Sequence, residues 1–177
     1  SKEILSYFIK SIIYECSDFL ILNKWSGIST QGTSKFGVSI DDIIKKISNN
    51  YNLVHRLDKE TSGLLVISKN YKTTKIFSNL FKNQEIEKKY IAICQGIPKN
   101  LISIVKLNFN QKSKLKSNVK TITKYNVIKK SGKLSLILFK PITGKMHQLR
   151  IVSRYLQCPI VGDSKYNHNN SYRKEEL

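Results

Sequence analysis

Acidic residues are scarce in this chain. Its 177 residues include 12 Asp and Glu against 31 Lys and Arg, a formal net charge of +19 at pH 7. A field of that sign disfavours cationic partners and attracts polyanions, nucleic acid first and anionic membrane second. Arginine is scarce too. Only Arg56, Arg150, Arg154 and Arg173 are arginine, so the other 27 of the 31 basic residues are lysine. An AT-rich coding sequence would also raise Lys, Asn and Ile. It would not by itself require so few carboxylates, so a nucleic-acid partner is favoured. The three cysteines, Cys16, Cys94 and Cys158, are odd in number, far apart and in no metal-ligand spacing. That argues against a metal centre and for reduced, partly buried thiols in a cytoplasmic protein. His55, His147 and His168 form no zinc pattern. No apolar run approaches the ~20 residues that span a bilayer. The chain begins at Ser1 rather than Met, so the absence of a signal peptide carries little weight and a fragment is expected.

What is present is an ordinary globular composition. With 40% hydrophobic residues, the 177-residue chain can build a core of its own. One domain over residues 1–177 is expected, with no internal repeat. Phe19 to Asn23 reads as a strand, followed by a Trp-Ser-Gly turn at 25–27. Residues 40–49 read as a helix capped by Ser39, with Asp41 and Asp42 at its positive end and Lys45 and Lys46 at its negative end. Ile40, Ile43, Ile44 and Ile47 form its apolar stripe. Residues 71–83 read as a helix burying Ile76, Phe77, Leu80 and Phe81. Strands are predicted at 88–94, 101–107, 119–128 and 133–140, with a lysine-rich connection at 109–118. A helix is predicted over 145–156 with Met146, Leu149, Val152 and Tyr155 or Leu156 facing inward. A loose polar tail follows from Asn167. Helices and strands alternate without regular βαβ units, which predicts α+β with a mixed, mainly antiparallel sheet and flanking helices.

The densest stretch is residues 54–68, Val-His-Arg-Leu-Asp-Lys-Glu-Thr-Ser-Gly-Leu-Leu-Val-Ile-Ser. Gly63 to Ser68 is short, apolar and rich in β-branched residues, so a largely buried strand is predicted. Thr61, Ser62 and Gly63 are turn formers, which places Asp58 in the loop entering that strand. An arginine nearby biases a carboxylate toward its ionised form. On charge content alone, a structural Arg56–Asp58 pair is the better reading.

Three further stretches change that preference. They are Ile13-Tyr14-Glu15…Phe19-Leu20-Ile21-Leu22-Asn23-Lys24…Gly27, then Lys88-Lys89-Tyr90-Ile91-Ala92, then Pro141-Ile142-Thr143-Gly144-Lys145-Met146-His147-Gln148-Leu149-Arg150 with Pro159-Ile160-Val161-Gly162-Asp163…Tyr166 after it. Together with His55-Arg56-Leu57-Asp58…Thr61-Ser62-Gly63-Leu64-Leu65, the chain over residues 12–166 resembles the RluA/RluC-type pseudouridine synthases, nearest to the RluC, large-subunit ribosomal RNA, type. The resemblance implies the catalytic fold of that family. It departs at Trp25, where the family usually has proline, and at Met146, where it usually has threonine. The family's closing strand with Leu-His-Ala and its small N-terminal RNA-binding domain have no counterpart in residues 1–177, so a catalytic core cut at both ends is expected.

The implied reaction breaks a glycosidic N–C bond, turns the uracil and rejoins the sugar through carbon. It moves no electrons and hydrolyses nothing, so the resemblance implies no metal or redox cofactor. It implies a catalytic aspartate at Asp58, an active-site tyrosine at Tyr90 and an arginine at Arg150 that pairs with the aspartate. Arg56 is then better read as facing RNA, where it helps fill the space of a flipped-out uridine, and Gln148 as a second substrate-binding residue. The implied partner is RNA, 23S ribosomal RNA first, without membrane, and the implied assembly a monomer. A transfer-RNA enzyme of the same family and a non-catalytic RNA-binding module or chaperone are the alternatives. A basic hydrolase using Asp58 and Glu60 has no signature to support it.

Overall fold

The computed structural model describes residues 2–32, 37–110 and 118–167. They form two compact units, Ser1–Ile86 and Glu87–Leu177, where the sequence alone reads as one domain. The first unit contains α1 (Lys2–Lys10), β1 (Ile12–Glu15), β2 (Phe19–Lys24), α2 (Ile40–Ile47), β3 (Asn52–Leu53), β4 (Gly63–Ser68) and α3 (Tyr71–Lys82). The second contains β5 (Tyr90–Gln95), β6 (Ile102–Asn110), β7 (Asn118–Ser131), β8 (Leu134–Pro141) and α4 (Gln148–Tyr155).

In the first unit a four-stranded sheet runs in the order β1-β2-β4-β3. The β2–β4 register sets Leu20 against Ile67, Leu22 against Leu65, and Lys24 against Gly63. Leu20, Leu22, Leu65 and Ile67 are all buried, as period-2 alternation requires of one sheet face. The other face of β4 is open at Leu64, which is 61% exposed, and closed at its end by the buried Ser68. The helix α2 forms as its sequence dictates. Ser39 Oγ accepts from the Asp42 N–H, and the Asp42 carboxylate accepts from the Ser39 N–H, a complete capping box. Ile40, Ile43 and Ile44 are buried, while Ile47, the last residue of the helix, is 41% exposed, so the expected stripe ends one residue early. The helix α3 is capped by Asn70, whose side chain accepts from the Thr73 N–H. It turns Thr73 inward and leaves Ile76 49% exposed, so the expected burial of Ile76 is wrong by part of a turn. The helix α1 has no counterpart among the elements read from the sequence. It buries Phe8 completely.

In the second unit the order is β5-β8-β7-β6, and every pairing of the named strands in both units is antiparallel. The expected antiparallel character is present, and the expected mixture is not found among the described strands. Along β8, Ser135, Ile137, Phe139 and Pro141 point to the core and alternate with half-buried residues. Cys94, Val105, Tyr125, Val152 and Cys158 complete that core. The hairpin strands are longer than their sequence pattern predicts. Of the expected lysine-rich connection, β6 takes residues to Asn110 and β7 begins at Asn118; residues 111–117 lie outside the described residues, as do 168–177 of the expected tail, whose first residue, Asn167, is instead buried and donates to the Ile160 carbonyl. The helix α4 begins at Gln148, not 145, and Met146 is 54% exposed. Of the two residues expected to close its inner face, Leu156 packs against the core and Tyr155 is 63% exposed.

Candidate active site

Asp58 and Arg56 belong to the first unit; Tyr90, Gln148 and Arg150 belong to the second. In the first unit, Asp58 lies half-buried in the loop between β3 and β4, as the Thr-Ser-Gly turn predicts, and Arg56 in the same loop is exposed. The residues around Asp58 are tied down one by one. Before it, the Thr30 hydroxyl donates to the Leu57 carbonyl at 2.7 Å and accepts from the Leu57 N–H at 3.1 Å. After it, the Lys59 carbonyl accepts from the Gly27 N–H at 2.9 Å, and the Ser26 hydroxyl donates to the Glu60 carbonyl at 2.9 Å. The Thr61 N–H donates to the carbonyl of Asp58 itself at 3.1 Å. Gly27 has φ +91°, a backbone state that glycine adopts freely. His55 Nε2 accepts from the Val66 N–H at 2.9 Å, and its ring stacks on Phe81 at 4.5 Å.

Lys24 completes this support. It continues the buried row of Leu20 and Leu22 and is 0% exposed. Its ammonium donates to the carbonyls of Trp25 at 3.0 Å, Ile28 at 3.0 Å and Lys59 at 3.2 Å. It therefore bolts the Trp-Ser-Gly turn to the Asp58 loop. Burial pushes the Lys24 ammonium down to about 8, and the charges of Glu60 and Asp58 pull the other way.

In the second unit, Tyr90 opens β5 and packs half-buried against the core. Lys88, two residues earlier, donates to the Ile142 carbonyl at 3.3 Å, and burial lowers its affinity for its proton. A Cβ on Gly144 would stand 3.7 Å from Lys88 Nζ. Gln148 is buried, and its amide is engaged inside the protein. Its Oε1 accepts from the Thr143 hydroxyl at 2.9 Å and the Lys145 N–H at 3.0 Å. Its Nε2 donates to the Ile122 carbonyl at 3.2 Å and the Thr123 hydroxyl at 2.9 Å. The expected substrate contact thus meets an amide already holding the 143–147 turn against β7. That turn ends at His147, which has φ +54°, and this is why the helix starts at 148.

Arg150 forms a two-bond fork with Asp163: Nε to Oδ2 and Nη2 to Oδ1, both at 2.8 Å. Its guanidinium lies 5.0 Å from the Tyr166 ring centroid. Burial alone would push the Asp163 carboxyl up. The hydrogen bonds from Arg150 and from the Tyr166 and Lys165 N–H groups, with the arginine's charge, outweigh it and hold Asp163 below the usual carboxylate range. Lys24, Thr30 and Asp163 carry much of this geometry, and no role for them was read from the sequence. For Lys24 a signal existed: a lysine at the third inward place of an apolar period-2 row must bring its own acceptors.

Among the described residues, no three His, Cys, Asp or Glu side chains gather as a metal site. No helix among them is long and apolar enough to cross a membrane.

The sequence profile described as RNA pseudouridylate synthase matches residues 18–155. The chain is 40% identical over 181 residues to a ribosomal large subunit pseudouridine synthase C of Rickettsia prowazekii (strain Madrid E), covering 95% of this chain and 59% of that protein. It is 42% identical to the protein of the same name from Rickettsia typhi (strain ATCC VR-144 / Wilmington), again covering 95% and 59%. The chain thus spans about three fifths of the length of these curated relatives. Among solved structures, it matches human RNA pseudouridylate synthase domain containing 4 at TM-score 0.81 and 26% identity, covering 95% of this chain and 73% of that one.

Proposed function

Because this chain belongs to the RNA pseudouridylate synthase family, we propose that it isomerises specific uridines of 23S ribosomal RNA to pseudouridine, with Asp58 acting at the glycosidic bond. The N1–C1′ bond breaks, the uracil turns, and a C5–C1′ bond forms. The proton leaves C5 and one is gained at N1, so the product is an isomer and no co-reactant is consumed. Asp58 serves either by attacking the sugar, as the carboxylate of a retaining glycosidase does, or by taking a sugar proton. Both roles need an ionised carboxylate held in place. The observation that supports this most is the anchoring on both sides of Asp58, by Thr30 at Leu57 and by Lys24, Gly27 and Ser26 at Lys59 and Glu60. Fixed backbone is what a reacting group needs.

Arg150 serves as the arginine that pairs with Asp58 and orients it. Tyr90 stacks on the uracil and helps remove the C5 proton through its hydroxyl. Arg56, exposed beside Asp58, enters the space of the flipped uridine. Gln148 acts by holding the 143–147 turn. The choice of ribosomal over transfer RNA rests on the names of the relatives. The protein works as a cytoplasmic monomer, where ribosomal RNA is made.

The test is Asp58→Asn in the full-length protein. Conversion of uridine should vanish while RNA binding persists; continued conversion would remove Asp58 from the chemistry. Mapping pseudouridines with and without the gene should show lost sites in 23S RNA. Lost sites only in transfer RNA would favour the other substrate, and no lost site would favour a chaperone.

A further inference from the structure

We propose that Asp163 is a positioning residue that fixes the Arg150 guanidinium for its work in isomerisation, a role that rests on the reading that Arg150 serves Asp58. Arginine ends a long side chain with many rotamers, and α4 supplies it from an exposed-to-half-buried helix face. Something must choose one rotamer. The Asp163 side chain is 3% exposed and grips Nε and Nη2 in a planar fork. A guanidinium has more N–H donors than that fork uses, so it can serve a second carboxylate while held by the first.

The grip is itself fixed. Asp163 Oδ1 also accepts from the Lys165 N–H at 2.9 Å and the Tyr166 N–H at 3.0 Å, which stops the carboxylate from rotating. The Tyr166 ring covers the guanidinium, and its hydroxyl meets His147 Nδ1 at 3.1 Å. The turn carrying Asp163 is registered on β5. The Val161 N–H donates to the Ile93 carbonyl at 2.9 Å, the Gln95 N–H to the Pro159 carbonyl at 2.8 Å, and Asn167 Nδ2 to Gln95 Oε1 at 3.3 Å. That is the strand that begins with Tyr90. One short turn therefore sets Arg150 relative to Tyr90. A plain structural ion pair would need neither the doubly anchored carboxylate nor the covering ring.

The experiment uses the full-length protein with four variants: Asp163→Asn, Asp163→Glu, Arg150→Lys and the double Asp163→Asn/Arg150→Lys. Uridine conversion and RNA affinity are read at a temperature well below each variant's own unfolding midpoint. Asp163→Asn should slow conversion at saturating RNA by roughly 100-fold, the scale of a misplaced reacting group, with KM and RNA affinity within about twofold of wild type. Asp163→Glu should recover part of the loss, because a fork can re-form. The double variant should lose no more than Arg150→Lys alone, since Asp163 acts only through Arg150. A double variant whose loss equals the product of the two single losses overturns the inference. So does an Asp163→Asn protein that converts at the wild-type rate once assayed below its midpoint. If Asp58→Asn remains active, the underlying reaction reading has failed instead; if it is dead while the losses simply multiply, only the role of Asp163 has.

Discussion

At the scale of single residues, the Asp58 loop is organised by side chains that hold its backbone. Lys24 is the clearest case, a fully buried ammonium answered by three carbonyls. Its proton affinity gives a signed prediction. Folded, it titrates near 8; unfolded, near its ordinary 10.5. Between those values the unfolded chain keeps a proton that the folded protein has released, so stability rises with pH across that window. Below it, the full desolvation cost applies, on the order of 3 kcal/mol at about 1.4 kcal/mol per pH unit of displacement. The urea midpoint of wild type should therefore gain on that of Lys24→Met as pH goes from 8 to 10.5. A constant difference across that range would mean the ammonium is not desolvated. Thr30 offers a second check. Its buried hydroxyl both donates to and accepts from Leu57, and valine has the same shape without it. Thr30→Val should cost about 2 kcal/mol in a denaturant melt, because the Leu57 peptide groups lose a partner in a place that water does not reach.

At the scale of elements, the helices differ in how much of their stability is local. The α2 capping box is entirely local, so Ser39→Ala should lower stability by about 1 kcal/mol in the same melt. Gly96 is the opposite case. It has φ +108°, and a Cβ there would meet the Gln157 carbonyl oxygen at 2.9 Å. Gly96→Ala should therefore cost roughly 1–3 kcal/mol, through strain that no neighbour in sequence explains. The same division decides what could be read beforehand. The helix α2 announced itself by cap and apolar stripe, α3 by its apolar residues alone, and β4 by a short apolar run. The start of α4 did not, because Gln148 reaches across to Thr123 and Ile122 and turns residues 143–147 out of the helix. The helix α1 escaped notice because it commits only Phe8 fully to the core. Asp58, Tyr90 and Arg150 are proposed as a set on their motifs alone. Lys24 and Asp163 were legible only as letters within those motifs, since their partners lie 35 residues off in one case and across a turn in the other.

At the scale of the whole molecule, charge is the dominant quantity: +19 on 177 residues, carried almost wholly by lysine. Lysine is a mobile point charge suited to phosphate contact without base reading, whereas the planar guanidinium is suited to stacking and two-bond grips. Of the three described arginines, Arg150 shows that division, with its two-bond fork and the Tyr166 ring beside it. Arg56 and Arg154 are exposed, and on the proposed RNA partner the bulk of the attraction falls to the lysines. Attraction of that kind releases counterions, so affinity falls as a power of salt concentration, with an exponent set by the number of phosphates neutralised. If about six phosphates are engaged, binding to a 23S RNA fragment should weaken by roughly 10³-fold between about 50 and 200 mM salt. Asp58→Asn should show the same slope as wild type, because that carboxylate is not a phosphate contact. A nearly flat slope would assign the lysine excess to coding bias and leave RNA recognition to a few specific contacts. A steep slope shared by both proteins would separate the electrostatic work of the surface from the chemistry of the Asp58 loop.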